Sequence, residues 1–119
     1  MPRQKPPVED RSDELFDLHA RLCKVLTDPK RLQILAFLEE GRRSVNEMAV
    51  KLAIRPSTVS QHLALMRQSG LLTTERQGTT IYYSLAYPEI LDACRIVHGI
   101  LRQQLTAAGQ LAAASTALT

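Results

Sequence analysis

The chain has 119 residues, of which 45% are apolar, so we expect a single domain with a small hydrophobic core. No apolar run is long enough to span a bilayer and no signal-peptide pattern opens the chain, so we expect a soluble cytoplasmic protein. Two cysteines are too few for a disulfide framework, which excludes the small disulfide-bonded secreted classes.

The formal net charge of +3 is concentrated in the middle of the chain. Residues 1–40 hold 7 Lys/Arg and 8 Asp/Glu, for a net charge of −1, and residues 41–80 hold 6 and 2, for a net charge of +4. Residues 81–119 hold 2 and 2, for a net charge of 0. This asymmetry suits a polyanionic partner such as nucleic acid, although a solvated basic face would give the same distribution.

The N-terminal third is predicted to contain an arm and two helices. Residues 1–12 include three prolines and lack periodicity, which predicts a disordered arm. Leucines at helical spacing predict a first helix over residues 13–27 and a second over residues 29–40. Asp28 is expected to cap the second helix, because a side-chain acceptor directly precedes a proline at the first helical position.

Two short helices joined by a tight turn are predicted next. Ser44 and Glu47 form the pattern S-x-x-E of a capping box, which opens the third helix. Arg55-Pro56 breaks the chain, and a fourth helix is predicted over residues 57–68. This helix has an apolar stripe on one side and small polar side chains on the other, which is typical of a helix-turn-helix that reads DNA.

The period then changes from helical to alternating. Residues 71–75 and 80–85 are predicted to be strands joined by a turn over residues 76–79, with Tyr82 and Tyr83 on opposite faces. A hairpin directly after a helix-turn-helix predicts a winged helix. The expected fold is therefore mainly α with a small β-hairpin, in the order α-α-α-α-β-β-α.

A last helix is predicted from Pro88 to at least Gln104. It carries an apolar seam that continues beyond what a compact winged helix needs for its core: Ile90, Cys94, Val97, Leu101 and Leu105. Such a stripe on a terminal helix usually marks a partner surface, here most simply a second subunit packed with the first helix. The winged-helix and dimerisation domain is thus expected over residues 13–105, followed by a flexible tail over residues 106–119.

Three segments of the chain resemble the ArsR/SmtB family of bacterial repressors: TDPKRLQILAFL, SVNEMAVKLAIRPSTVSQHLALMRQSGLL and TERQGTTIYYSL. The likeness covers about residues 25–101. It implies a winged-helix homodimer joined through its first and last helices. It also implies binding to an inverted-repeat DNA operator, from which a ligand or a redox signal releases the protein.

The resemblance places the DNA-reading positions of the family at Ser57, Thr58, Ser60, Gln61 and His62. Hydroxyls and an amide can hydrogen-bond to base edges or phosphates, and Gln61 can pair bidentately with adenine. Ser57 could instead be a plain N-cap, and His62 a half-buried neighbour of the apolar stripe. Arg67 and Arg76 are candidates for phosphate contacts; Arg76 lies on the wing, where it could equally be a solvated turn residue.

The two metal sites best known in the family do not carry over to this chain. The thiolate pair that opens the third helix is replaced by Ser44 and Asn46. The site on the last helix needs Asp-x-His and two later ligands, but the first pair reads Asp92-Ala93-Cys94 and the later positions hold Leu105 and Ala108. We therefore expect no required cofactor at either of these sites.

The two cysteines suggest a different sensor. His19 and Cys23 lie four residues apart on the first helix, and Cys94 and His98 lie four apart on the last. If these helices pack together, the two thiols could form a switch that responds to oxidation, reactive sulfur or arsenite. The four side chains together would instead suit zinc or another soft metal. A third interpretation is that the cysteines are inert core residues.

The sequence thus predicts a DNA-binding transcriptional repressor that acts as a homodimer and is released by thiol chemistry at Cys23 and Cys94. The alternatives are a metal-sensing repressor, a repressor with no cysteine-based sensor, and a winged-helix module used only for protein contacts. The basic centre and the polar helix face argue against the last. We expect no enzyme, because the sequence contains no nucleophile–base motif, glycine-rich phosphate loop or carboxylate pair.

Overall fold

The computed structural model describes residues 11–109, which form five α-helices and a three-stranded antiparallel sheet. In chain order these are α1 (Ser12–Val25), α2 (Pro29–Phe37), β1 (Arg43–Ser44), α3 (Val45–Leu52), α4 (Pro56–Gln68), β2 (Leu72–Gln77), β3 (Thr80–Leu85) and α5 (Ile90–Ala107). A 3₁₀ turn, Leu38–Glu40, follows α2. The predicted winged-helix fold is confirmed. Apart from residues 11–12 and 106–109, the predicted arm and tail lie outside the described residues.

Helix starts follow the capping signals in the sequence. The Asp28 carboxylate accepts a hydrogen bond of 2.7 Å from the Lys30 N–H, so the predicted cap of α2 is present. At α3, Ser44 Oγ accepts from the Glu47 N–H at 3.2 Å, and the Ser44 N–H donates to Glu47 Oε1 at 3.1 Å. The capping box is therefore complete, and it fixes where the first helix of the helix-turn-helix begins.

The start of α4 differs from the prediction by one residue. Arg55 is extended, with φ −62° and ψ 141°, and Pro56 occupies the first turn of the helix. A proline fits there because its missing N–H would have no partner within the helix. Ser57 therefore lies inside the first turn and is not the N-cap, which corrects that interpretation of its role.

The core is formed where α2, α3 and α4 meet. The largest fully buried side chains come from these three helices: Ile34, Leu35, Met48, Val59, Leu63 and Met66. Leu71 and Leu72, which enter the wing, and Leu91, at the start of α5, close the cluster. Burial of each such side chain stabilises the fold by roughly 1.5–3 kcal/mol, so this cluster holds the helix-turn-helix rigid.

The sheet contains a strand that the sequence did not reveal. β3 lies in the middle of the sheet, paired with β2 on one side and with the two-residue strand β1 on the other. The predicted four-residue turn is shorter, because Gln77 and Thr80 already pair and only Gly78 and Thr79 connect the strands. Gly78 has φ +62°, which L-residues with side chains rarely adopt.

The first and last helices are only partly attached to this core. α1 contains no buried residue, and α5 buries only Leu91, near its N-terminus. Arg95 anchors the same end of α5 through ion pairs with Asp92 and with Glu39 of the 3₁₀ turn. The later turns of α5 therefore present an apolar face to solvent. Within residues 11–109, every helix is too short or too polar to cross a bilayer.

Candidate nucleic-acid interface and cysteine pocket

The exposed face of α4 is the candidate reading surface. Because Val59, Leu63 and Met66 are buried, the rest of the helix surface is directed away from the core. Of the predicted reading residues, Ser57, Ser60 and Gln61 are exposed. Thr58 and His62 are half-buried, so the five predicted positions divide between an outward group and a group at the edge of the core.

His62 is held against α2. Arg31 Nε donates a hydrogen bond to His62 Nδ1 at 3.1 Å, and Arg31 Nη1 donates to the backbone oxygen of Val25 at 3.0 Å. The nearby Asp28 carboxyl has a lowered pKa, first because it accepts from the Lys30 N–H, and further because the backbone N–H and the guanidinium of Arg31 lie close to it. His62 is therefore half-buried, with its Nδ1 directed towards Arg31 of α2.

A polar groove lies beside α4. It has a volume of about 340 Å³ and is bounded by the start of α3, by Ser60 of α4 and by the tip of the wing. Its polar lining includes Asn46, Thr79 and Thr80, which are not among the predicted DNA-contacting residues. Nothing in their local pattern marks them, since three separate elements bring them together only in the folded chain.

Arg42, which precedes β1, makes side-chain contacts with both strands of the wing. Its Nη1 donates to Glu75 Oε2 at 3.0 Å and its Nη2 donates to Gln77 Oε1 at 3.1 Å. The same guanidinium lies 4.5 Å from the centre of the Tyr82 ring. Tyr83, on the opposite face, packs against the core, as the alternation of the strand predicts.

Two predicted phosphate contacts lie on the outer surface. Arg67 is exposed near the end of α4, and Arg76 is exposed within β2. Arg76 therefore belongs to a strand of the wing and not to its turn. Arg55, at the start of α4, is a third exposed cation and is not among the predicted phosphate contacts. Exposed cations therefore lie at both ends of α4 and on the wing.

The predicted sensor residues line a single pocket. A cavity of about 380 Å³ lies between α1, α2 and α5, and His19, Cys23, Cys94 and His98 all border it. Most of the remaining wall is aliphatic, from residues such as Leu22, Leu26, Leu32 and Val97. The prediction that these four side chains share one region of the fold therefore matches the structure, although the pocket separates the helices that carry them.

The two thiols in this pocket differ in their surroundings. Both are free; Cys23 is exposed and Cys94 is half-buried against the core. Burial raises the pKa of the Cys94 thiol, because the thiolate would lose its hydration. Cys94 thus resembles the small core residue of the third interpretation, whereas Cys23 does not.

A metal site formed by these four residues lacks the necessary geometry. Across the described part of the chain, no three His, Cys, Asp or Glu side chains are arranged to hold one metal ion. Tetrahedral zinc needs all of its ligands within about 2.0–2.3 Å of the ion. The metal hypothesis for His19, Cys23, Cys94 and His98 is therefore not supported within one chain.

A helix with an exposed polar face that packs on two core helices and is followed by a β-hairpin defines the winged helix-turn-helix class of DNA-binding domain. Comparison with known proteins agrees with this geometry. A family model described as "Bacterial regulatory protein, arsR family" matches residues 28–74, which contain the helix-turn-helix.

Individual relatives extend the match beyond these residues. The transcriptional activator HlyU of Vibrio cholerae is 34% identical over 82 residues, which are 69% of this chain and 76% of HlyU. The biofilm growth-associated repressor of Agrobacterium fabrum is 40% identical over 81 residues, 68% of this chain and 66% of that protein. The solution structure of the homodimeric winged helix-turn-helix DNA-binding domain Mb0332 of Mycobacterium bovis matches with a TM-score of 0.71 and 31% identity, covering 88% of this chain and 94% of that one. The chain belongs to the arsR family of bacterial regulatory proteins, and it is a transcriptional regulator and not an enzyme.

Proposed function

We propose that the protein is a cytoplasmic repressor that binds an inverted-repeat operator as a homodimer and is released by a thiol-directed signal. The observation that carries the DNA-binding part is the exposed face of α4 beside the polar groove and the wing. Gln61 and Ser60 are exposed at the centre of this face, where short polar side chains can approach base edges. Arg67, near the end of α4, and Arg76, on the wing, are exposed cations that suit phosphates.

The homodimer is supported by the apolar faces of α1 and α5. Large apolar side chains on these two helices are exposed: Leu15, Phe16, Leu18, Ile96, Val97, Ile100 and Leu101. Phe16 is 70% exposed, and such a concentration of apolar surface usually marks a protein interface. A symmetric pairing through these helices would present two copies of α4 to DNA, as an inverted repeat requires. The similar Mb0332 domain is described as homodimeric.

The reading surface is tested by Gln61→Ala, with Gln33→Ala as the matched control. Both changes remove an exposed glutamine from a helix, but Gln33 lies on α2, beside Lys51 and Leu52 of α3. A duplex selected by the purified protein from a randomised library serves as the probe. Gln61→Ala should weaken binding about tenfold or more, since one bidentate base contact is worth about 1–3 kcal/mol. Equal affinities for the two variants would remove Gln61 from the reading surface.

The thiol switch is supported by the shared pocket of Cys23 and Cys94. An oxidant such as peroxide would convert the exposed Cys23 thiolate to a sulfenic acid. The Cys94 thiol would then attack that sulfur, releasing water and forming a disulfide. A polysulfide could link the same two thiols through its inner sulfur atoms, with its outer sulfur atoms released as hydrogen sulfide, and arsenite could bridge them with release of water. A disulfide requires Cα atoms about 4.4–6.8 Å apart, so α1 and α5 would have to close the pocket between them.

This switch is tested by DNA release from the wild type, Cys23→Ser, Cys94→Ser and the cysteine-free double variant. Peroxide, polysulfide and arsenite are each added to the protein bound to the selected duplex. The wild type should dissociate with at least one reagent and recover with a reducing agent, whereas all three variants should stay bound. Dissociation of the cysteine-free variant to the same extent would place the switch elsewhere and leave a repressor without a cysteine sensor.

A further inference from the structure

The Arg31–His62 contact has a chemical consequence for the recognition helix. An arginine can only donate hydrogen bonds, so the His62 Nδ1 that accepts from Arg31 Nε at 3.1 Å carries no proton. In the neutral imidazole, the proton then resides on Nε2. The contact therefore fixes the tautomer of His62 and leaves one N–H donor on the other side of the ring.

Arg31 is itself held in place from a second direction. Its Nη1 donates to the backbone oxygen of Val25, the last residue of α1, at 3.0 Å. The guanidinium is planar and its two bonds are in different directions, so it fixes the orientation of the imidazole as well as its tautomer. Asp28, which caps α2, adds a negative charge next to both side chains. A histidine held in this way presents one fixed tautomer and one ring orientation to a binding partner.

We propose that Arg31 is a positioning residue that holds His62 so that its Nε2–H donates to DNA. The inference rests on the proposed DNA-binding function and deepens it, because it assigns a role to a residue of α2 that the reading helix alone does not suggest. His62 is half-buried and follows Gln61 directly on α4. It can thus be tethered through one ring nitrogen and contact a phosphate or a base edge through the other.

Two isosteric variants separate the two nitrogens. In His62→Asn the side-chain amide stands near Nδ1, so the acceptor for Arg31 is kept and the outward donor is lost. In His62→Gln the amide stands near Nε2, so an outward donor is kept while the acceptor for Arg31 is lost. We expect His62→Asn to keep the melting temperature of the wild type but to bind the selected duplex about tenfold more weakly. His62→Gln should bind more tightly than His62→Asn despite its lower melting temperature.

Arg31→Gln then tests whether Arg31 acts through His62. We expect Arg31→Gln to weaken binding about three- to fivefold in the wild-type background, which is less than the loss in His62→Asn, and by less than about twofold when it is combined with His62→Asn. Its salt dependence should equal that of the wild type, because Arg31 makes no phosphate contact in the proposal. Arg21→Gln, which removes a cation from an exposed position of α1, is the control and should bind like the wild type.

Two outcomes would overturn the proposal. Wild-type affinity in His62→Asn would show that the Arg31–His62 bond is only structural. Arg31 would instead be a phosphate contact if two results were found together. The slope of log K against log salt would be about one unit smaller in Arg31→Gln, and the variant would lose the same DNA affinity in the wild-type and His62→Asn backgrounds. If the wild type binds no duplex even in dilute salt, the proposed DNA-binding function itself fails, which is distinct from either result.

Discussion

Removal of Arg42 should loosen the wing without unfolding the domain. The Arg42–Glu75 ion pair joins side chains that are 39% and 62% exposed, so solvent screening limits it to about 0.2–1 kcal/mol. The Tyr82 stacking adds about 0.5–1 kcal/mol, and the exposed hydrogen bond to Gln77 adds about 0.5 kcal/mol. Because these contacts share one guanidinium and are not additive, we expect Arg42→Ala to cost about 1–2 kcal/mol of local hairpin stability.

Amide hydrogen exchange measured by NMR tests this magnitude. A loss of about 1.4 kcal/mol raises the open population of the hairpin tenfold, so amides paired between β2 and β3 should exchange about tenfold faster. Amides of α2 and α4 should be unchanged, because their protection depends on the core. Arg76→Ala is the matched control, since it removes an arginine from β2 but leaves the Arg42 contacts with Glu75, Gln77 and Tyr82 in place. Equal exchange in the two variants would refute the reasoning, because charge alone would then explain the effect.

Two further predictions concern the dimer and a helix cap. Ile100→Glu places a charge on the exposed apolar face of α5 and should shift sedimentation at micromolar concentration from dimer to monomer, whereas Val50→Glu, at an exposed apolar position of α3, should leave the dimer intact. If both variants sediment as dimers, or both as monomers, the proposed interface is contradicted. The lowered pKa of Asp28 stabilises the folded state above its ordinary value of 3.8, and this contribution disappears as the pH falls through the lowered value. Asp28→Asn still caps α2 but cannot ionise. The difference in melting temperature between the wild type and this variant should therefore shrink below about pH 3.8. A difference that stays constant with pH would mean that the charge of Asp28 is not involved.

The parts of the fold that the sequence predicted are those encoded by local signals. The caps at Asp28 and Ser44, the breaks at proline and the apolar stripe of α4 depend on residues within one or two helical turns. β1 could not be predicted, because two residues show no alternation and their partners lie about 40 positions away on β3. The Arg42 contacts with the wing were missed for the same reason.

The candidate site shows a similar division. The exposed positions Ser57, Ser60 and Gln61 follow from the helical period once the buried stripe is known. The sequence left two interpretations open for His62, because its environment depends on how α4 packs against α2. Its contact with Arg31 spans 31 positions in the sequence and is visible only in the folded chain.

The placement of the cysteines is consistent with a switch in terms of local stability. Segments that change conformation are drawn from the least stable parts of a fold, and α1, with no buried residue, is such a segment. A covalent bond between Cys23 and Cys94 would move α1 and α5 and leave the core of α2, α3 and α4 intact. The Val25 carbonyl, two residues beyond Cys23, is held by the same Arg31 that holds His62. Displacement of α1 could therefore shift α4 through the Arg31 side chain as well as through the dimer interface. On this argument, Arg31→Gln should reduce the loss of DNA affinity on oxidation, and an unchanged loss would leave the interface as the sole route.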